Sequence, residues 1–305
     1  MNSRSVWVAV FVGIIALGLG AAAVTAFVSD DGEPSASSAS TSASSVSDTF
    51  DLPIGLEKDT VALAKHQRDL LVGLAARAGG PVEIAVVRGD TPLEGDAVQV
   101  AVDGRDVPAE PCGTGCSRVE AAVLQGRPAR VSVRAGSASV SFRLPGFLPA
   151  SGQPVFDRAR RTMAALRSYR FTERLTSGGG VVFSRLAVQA PDRLSLRTNN
   201  GFRSVIIGRK RWDYQVGRWQ EGPFPGLNVR EVLMWYDARN PRVVRRLPNG
   251  AVQLAAYGLK PVPAWFRLTV EPSGRVTEAE MTAPAHFMLH RYRDFNSAPA
   301  IEPPQ

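Results

Sequence analysis

Hydrophobic positions along this chain change their spacing several times, and each change marks a different kind of element. Val6 to Val28 is an unbroken apolar run, close to the ~20 residues that cross a bilayer. Residues 35–49, SASSASTSASSVSDT, have no apolar face to bury and read as a flexible spacer. Glu57 to Arg68 (EKDTVALAKHQR) predicts a short helix. After it the apolar positions fall in short alternating runs broken by Gly and Pro: DLLVGLAARAGG, PVEIAVVRGDTPLEG, DAVQVAVDG, then SRVEAAVLQG, PARVSVRAG and ASVSFRLP. About six strands with turns roughly every ten residues predict a small β-sandwich over residues 55–150.

The spacing then becomes helical. Pro154 to Arg167 places Phe156, Ala159, Met163 and Leu166 on one stripe, with Ser151 as a cap. Strands follow: SYRFTERLTSG, GGVVFSRLAVQAPD, RLSLRTN, FRSVIIG and RWDYQV. A proline-rich loop, EGPFPGLNVREVLMWYDA, predicts a further short helix, and VVRRL, VQLAAYG, AWFRLTVEPSG, RVTEAEMTAP and HFMLHRYRDF complete the set. Within Ser204–Trp219 the segment reads as hairpins, with Gly208-Arg209-Lys210 and Gly217-Arg218 as turns. Trp212, Tyr214 and Val216 alternate on one face. The cations are expected at turns or on the face opposite the aromatics, which argues against a nucleic-acid platform.

Charge separates the halves. Residues 55–150 carry 11 Lys and Arg against 11 Asp and Glu, whereas residues 154–297 carry 24 against 11. That surplus reads either as a solvated basic exterior or as attraction to anionic lipid headgroups or cell-wall polymers. Arg4 before the first apolar run, and Asp30, Asp31 and Glu33 after it, place the N-terminus in the cytoplasm and the rest outside. Residues 1–30 are therefore expected to be a single-pass anchor and 31–54 a linker. Secretion after cleavage near Ala26 is the alternative, although the run exceeds the 7–15 residues of a signal core.

Little chemistry is suggested. Cys112 and Cys116 in PCGTGC most simply form a disulfide in an oxidising compartment; a thiolate pair for copper or redox exchange is the other reading. His286, Met288 and His290 alternate on one strand and could hold copper, but a half-buried last strand explains them as well, so no metal is assigned. Glu278 and Glu280 also alternate and are expected in solvent. No G-x-S-x-G, phosphate loop or HExxH occurs, so neither catalysis nor a cofactor is expected.

The stretch from LLVGLAARAGGPVEIAVV through PCGTGC to VSFRLP resembles the immunoglobulin-like modules of the CopC/YtkA/FixH type found in actinobacterial envelope proteins. Copper ligands are not carried over, because the expected sandwich lacks His and Met. LRSYRFTERLTSG, APDRLSLR, IIGRKRWDY and VEPSGRVTEAEM, in that order, are similar to the LolA/LolB-like superfamily, with its LppX/LprG and RseB-like members. That resemblance implies a half-barrel wrapped on a helix over residues 151–298, followed by a tail at 299–305. It also implies an acyl chain or partner peptide in the concavity. The expected lining is Trp212, Tyr214, Trp219, Trp235, Tyr236, Trp265 and Phe266, with Phe224 and Leu227 at the mouth.

The whole chain is thus expected to be mainly β: a transmembrane helix, a small immunoglobulin-like sandwich, then a curved antiparallel sheet. Its expected role is that of a non-catalytic, extracytoplasmic membrane protein binding a hydrophobic ligand or lipid for transfer or sensing. An envelope protein-interaction or regulatory module, or a copper-handling accessory, is the alternative. No nucleic-acid partner is expected.

Overall fold

The computed structural model describes residues 58–177, 180–259 and 263–305. The apolar run Val6–Val28 and the Ser-rich stretch after it lie outside these residues. Among the described residues no helix is long and apolar enough to cross a membrane.

Two facing sheets form the first half. One contains β1 (Thr60–Gln67), β2 (Leu70–Arg77), β3 (Val82–Arg88), the short β4 (Thr91–Pro92), β7 (Glu110–Gly113) and β8 (Cys116–Val119), in the order β1-β2-β3-β8-β7 with β4 on β3. The other comprises β5 (Gln99–Val102), β6 (Arg105–Val107), β9 (Ala129–Ala135) and β10 (Ala138–Leu144), in the order β10-β9-β5-β6. Leu70, Val72, Leu74 and Ile84 meet Val131, Val133 and Phe142 between them, none more than 2% exposed. Cys112 and Cys116 are joined by a disulfide, their Cα atoms 5.1 Å apart. It pins the β7–β8 hairpin.

Thr60–Gln67 is a strand, not part of a helix. Val61 and Leu63 face the core between the sheets, while Ala62 and Ala64 face the other side. An extended chain buries both sets, whereas a helix would bury one stripe. The strand also brings His66 into a sandwich expected to contain no histidine.

The second half is built on α1 (Gln153–Ala164) and one open, curved antiparallel sheet. From the centre outward run β11 (Ser168–Ser177), β12 (Gly180–Gln189), β13 (Arg193–Thr198), β14 (Arg203–Ile207), β15 (Lys210–Gln215) and the edge strand β16 (Arg218–Pro223). The chain then crosses to the far edge and returns inward as β17 (Arg239–Arg246), β18 (Val252–Gly258), β19 (Ala264–Val270), β20 (Val276–Ala283) and β21 (His286–Arg293), which pairs with β11. Phe156, Ala159, Met163 and Leu166 of the helical stripe are buried against this sheet, and Ser151 Oγ accepts the Gln153 N–H at 3.3 Å. Gly152 opens α1 in a tight place: a Cβ there would lie 2.7 Å from Leu254 Cδ2 and 3.2 Å from the Pro241 carbonyl, so a side chain would force these groups to shift.

Two local expectations change. The crossing segment, residues 224–238, is a series of turns rather than a short helix, with bonds such as Leu233 N–H to Arg230 O at 3.1 Å and Tyr236 N–H to Leu233 O at 2.8 Å. Val232, Leu233 and Trp235 are all buried, which one helical stripe would not achieve. Val216 is not aligned with Trp212 and Tyr214. It sits with Gly217 in the β15–β16 turn at φ 49° and 79°, the geometry that two-residue hairpin loops demand.

The two halves share an apolar contact. Tyr257, Trp265 and Phe287 project from the face of the long sheet opposite α1 onto Ala62, Leu71, Ala75, Ala85 and Val87. Small residues make the floor that accepts them. A Cβ on Gly73 would lie 2.2 Å from Trp265 Cζ2, so the indole rests where only glycine leaves room. His66 stacks on Phe287 with ring centroids 3.9 Å apart. Arg242, 6% exposed, donates from Nε to Thr60 O at 3.0 Å and from Nη1 to Pro149 O at 3.2 Å.

Gly73→Ala is therefore expected to lower stability by about 1–3 kcal/mol through overpacking. In a Trp265→Ala background the same change should be nearly silent, because the clash is gone; equal effects in the two backgrounds on denaturant unfolding would refute the contact. Burial against Phe287 holds the His66 imidazole below its ordinary value of 6.5, Arg174 adds to the lowering, and the Arg68 backbone and Glu280 oppose it. The unfolded ring thus binds protons more readily, so this contribution is intact above that value and erodes as pH falls through it. His66 as a whole remains exposed, so the expected effect is a small drop in melting temperature on acidification, abolished in His66→Gln.

Candidate functional site

The long sheet has two faces of opposite character. On the helix face, Tyr169, Phe171, Leu186, Leu196 and Ile206 are buried beneath α1 and the crossing segment. A chain of polar groups runs through this apolar layer. Trp235 Nε1–H lies 3.3 Å from Tyr292 Oη, which lies 3.1 Å from His290 Nδ1. His290 Nε2 lies 2.7 Å from Glu173 Oε2, and Ser184 Oγ donates to Glu173 Oε1 at 3.1 Å. Burial pushes the Tyr292 phenol well above its usual range, so it keeps its proton and can donate to Nδ1. The Tyr169 phenol is also pushed up by burial, and its hydroxyl has no partner among the described residues.

The residues expected to line one pocket occupy three places. Phe224, Leu227, Trp235, Tyr236 and Phe266 belong to the packed helix-face core, with Trp235 fully buried. Trp265 lies in the contact with the first half. Trp212, Tyr214 and Trp219 lie on the opposite face, because Tyr214 pairs with Trp219 and Trp212 with Glu221 across β15 and β16, while Ile206 of β14 is the residue that points inward. Alternation identified the shared face of Trp212 and Tyr214 but not which side it was.

His286, Met288 and His290 do share a face of β21. Both ring nitrogens of His290 are engaged by Glu173 and Tyr292, which leaves no lone pair for copper. Among the described residues no cluster of three His, Cys, Asp or Glu side chains is placed to hold a metal. Glu278 and Glu280 are half-buried and paired with Arg291 and Arg267.

The open face gathers most of the unexpected features. One cross-strand row reads Glu278, Arg291, Thr172, Arg185, Arg197, Arg203, Tyr214, Trp219, each directly opposite the next. Beside it Leu289, Arg174 and Phe183 form a second row. Arg203 lies over the Tyr214 ring at 5.0 Å and Lys210 over Trp212 at 6.0 Å. The expectation that cations avoid the aromatic face is thus corrected for these two. A depression of about 550 Å³ is lined by Arg174, Phe183, Arg185, Arg197, Leu289 and Arg291. A second, of about 480 Å³, is lined by Arg170, Arg185, Arg197, Arg203, Trp219 and the C-terminal tail. The tail is fixed there by Ile301, whose N–H donates to Gln189 Oε1 at 3.0 Å and whose carbonyl accepts from Arg193 at 2.6 Å.

These arginines were not singled out from the sequence. The available signal was Arg at the outward positions of RFTER, FSRLA and RLSLRT, each with an apolar residue on one side. Only the register turns them into a row.

No family model and no characterised sequence matches the chain. Among solved structures it is similar to LprF from Mycobacterium bovis, at 11% identity and a TM-score of 0.39, over 51% of this chain and 99% of that one. It is also similar to lipoprotein LppX from Mycobacterium tuberculosis, at 14% identity and a TM-score of 0.37, over 50% of this chain and all of the other.

Truncating one member of the buried Glu173–His290 pair should destabilise by about 3–5 kcal/mol. His290→Leu with Glu173→Leu should recover most of that loss, since neither partner is then left unmatched. Chemical denaturation of the four proteins checks this; a double variant as unstable as the worse single one would contradict it.

Proposed function

We propose that this protein is a non-catalytic, extracytoplasmic binding protein that takes a hydrophobic ligand, an acyl chain or lipid, on the helix face of its long sheet. One observation carries the reading. That face is apolar across most of its strands, yet one helix and an irregular segment of turns cover it. Residues 224–238 fill with Phe224, Val232, Leu233 and Trp235 the place an acyl chain would take. The segment starts from a bond of the Phe224 N–H to Arg209 O at 2.8 Å, and its hydrogen bond to the sheet's polar chain is the long one from Trp235 to Tyr292. Each methylene of a ligand exchanged into this layer contributes about 0.8 kcal/mol, enough for a chain of ordinary length to compete with the segment.

In this reading the chain divides near residue 150, with a sandwich at 55–150, the ligand-binding unit at 151–298 and a short tail. The sandwich is read as immunoglobulin-like. Its strand order supports this: β2-β3-β8-β7 against β10-β9-β5-β6 corresponds to A-B-E-D against G-F-C-C′, with β1 added at the edge. Its role is to hold the binding unit in place. The run Val6–Val28 would anchor the assembly in a membrane, single-pass, with both folded units outside the cytoplasm.

Organic extraction and mass spectrometry of the purified full chain tests the function. Acyl lipids should be recovered with the wild type. Trp235→Ala, which vacates a buried indole, should lose about 3–5 kcal/mol and regain part of it when a fatty acid is added. Protein that is empty as isolated, with a Trp235→Ala variant equally unstable with and without fatty acid, would rule the reading out.

A further inference from the structure

The long sheet's open face carries a cost that folding alone does not explain. Arg185, Arg197 and Arg203 lie directly opposite one another on neighbouring strands, where Cβ atoms approach to about 5 Å and like charges repel. Several other cations of this face have an acidic partner. Arg170 pairs with Asp294, Arg293 approaches the same carboxylate at 3.9 Å, and Arg291 meets Glu278 at 3.2 Å. Among the described residues Arg174, Arg185 and Arg197 have no ion-pair partner, and Arg203 has only the Tyr214 ring. Arg185 and Arg197 border both depressions.

The apolar component narrows the choice of anion. Phe183 is 52% exposed and Val181 40% exposed, and both project from β12 on the same side as Arg185. Phe183 is opposite Arg174, which is opposite Leu289. A soluble polyanion would leave these side chains in water. A phospholipid surface offers both things at once, phosphates for the guanidinium groups and an acyl boundary for Phe183 and Val181. The contact with the first half covers the β17–β21 side of this face, through Arg242, Tyr257, Trp265 and Phe287; on the β11–β16 side only the C-terminal tail intrudes, with Glu302 at the border of the second depression, 4.0 Å from Arg193.

We propose that this arginine-lined face docks on the surface of an anionic phospholipid bilayer, Arg185 and Arg197 holding lipid phosphates while Phe183 and Val181 enter the interface between them. The face is opposite the helix face, so docking does not depend on what the helix face binds.

Phe183→Trp in the full chain places a reporter at the centre of the face. The protein is held in nanodiscs of brominated phosphatidylcholine, alone or mixed with brominated phosphatidylglycerol, and the wild-type signal is subtracted. Quenching of the added indole should be several-fold greater in the mixed discs and fall steeply with salt. Arg185→Gln with Arg197→Gln should reduce it by about tenfold or more. Because those changes remove repulsion and break no ion pair, the melting temperature should hold or rise, which separates lost docking from lost folding. Equal quenching in neutral and anionic discs, or in the double variant, would overturn the proposal. So would tight binding of soluble polyphosphate that Phe183→Ser leaves unchanged, which would make this a polyanion site.

Discussion

A sheet buried on both faces sets the arrangement of everything else. Antiparallel sheets commonly keep one face in water, but β1, β2 and β3 do not. Val72, Leu74 and Ile84 close the core of the first half, while Ala62, Leu71, Gly73 and Ala85 receive Tyr257, Trp265 and Phe287 from the second. The floor must be made of small residues, because three large aromatic rings have to lie down on it. Gly73 is the extreme case: its missing side chain is the space that Trp265 fills. Covering the β18–β21 side of the long sheet in this way leaves the other side of the same face, with its arginines, uncovered by the first half.

Part of this was legible in the sequence. LLVGLAAR and VEIAVVR are nearly continuous apolar runs, the pattern of a strand with no wet face, and the stripe of Phe156, Ala159 and Met163 located α1. The same double burial hid β1. Its apolar residues, Val61 to Ala64, do not alternate, and EKDTVALAKHQR has the composition of a helix. Tertiary contacts on two sides overrode that local preference. For the aromatics, a period of two reports that Trp212 and Tyr214 lie on one side of a strand but not what covers that side. That information resides in strands distant in the chain.

Register was the other unreadable quantity. Arg185, Arg197 and Arg203 are separated by loops whose lengths do not announce which residue will face which, and a slip by one would send each guanidinium to the helix face. The apolar residues on the same strands, Leu186, Leu194, Leu196 and Ile206, prevent that slip because they are buried. Part of the surplus of positive charge in residues 154–297 is therefore gathered on one face. A hydrophobic pattern fixes the register, and the register concentrates cations on one side.

The two faces of the long sheet answer charge in opposite ways. On the helix face Glu173 is matched by His290 and Ser184, and His290 in turn by Tyr292. For the Glu173 carboxyl such matching is what burial demands, since an unmatched charge there would cost several kcal/mol. On the open face water screens the guanidinium groups, so neighbouring arginines are tolerated at a fraction of that cost. Tolerance explains why the row can exist but not why Asp294 and Glu278 stand beside Arg170, Arg293 and Arg291 while Arg185 and Arg197, at the centre, have no acid. Folding stability would improve with a glutamate at either position. An arrangement that forgoes this and sets Phe183 in the open beside the same arginines is better suited to a surface that brings its own negative charge and its own hydrocarbon than to bulk water.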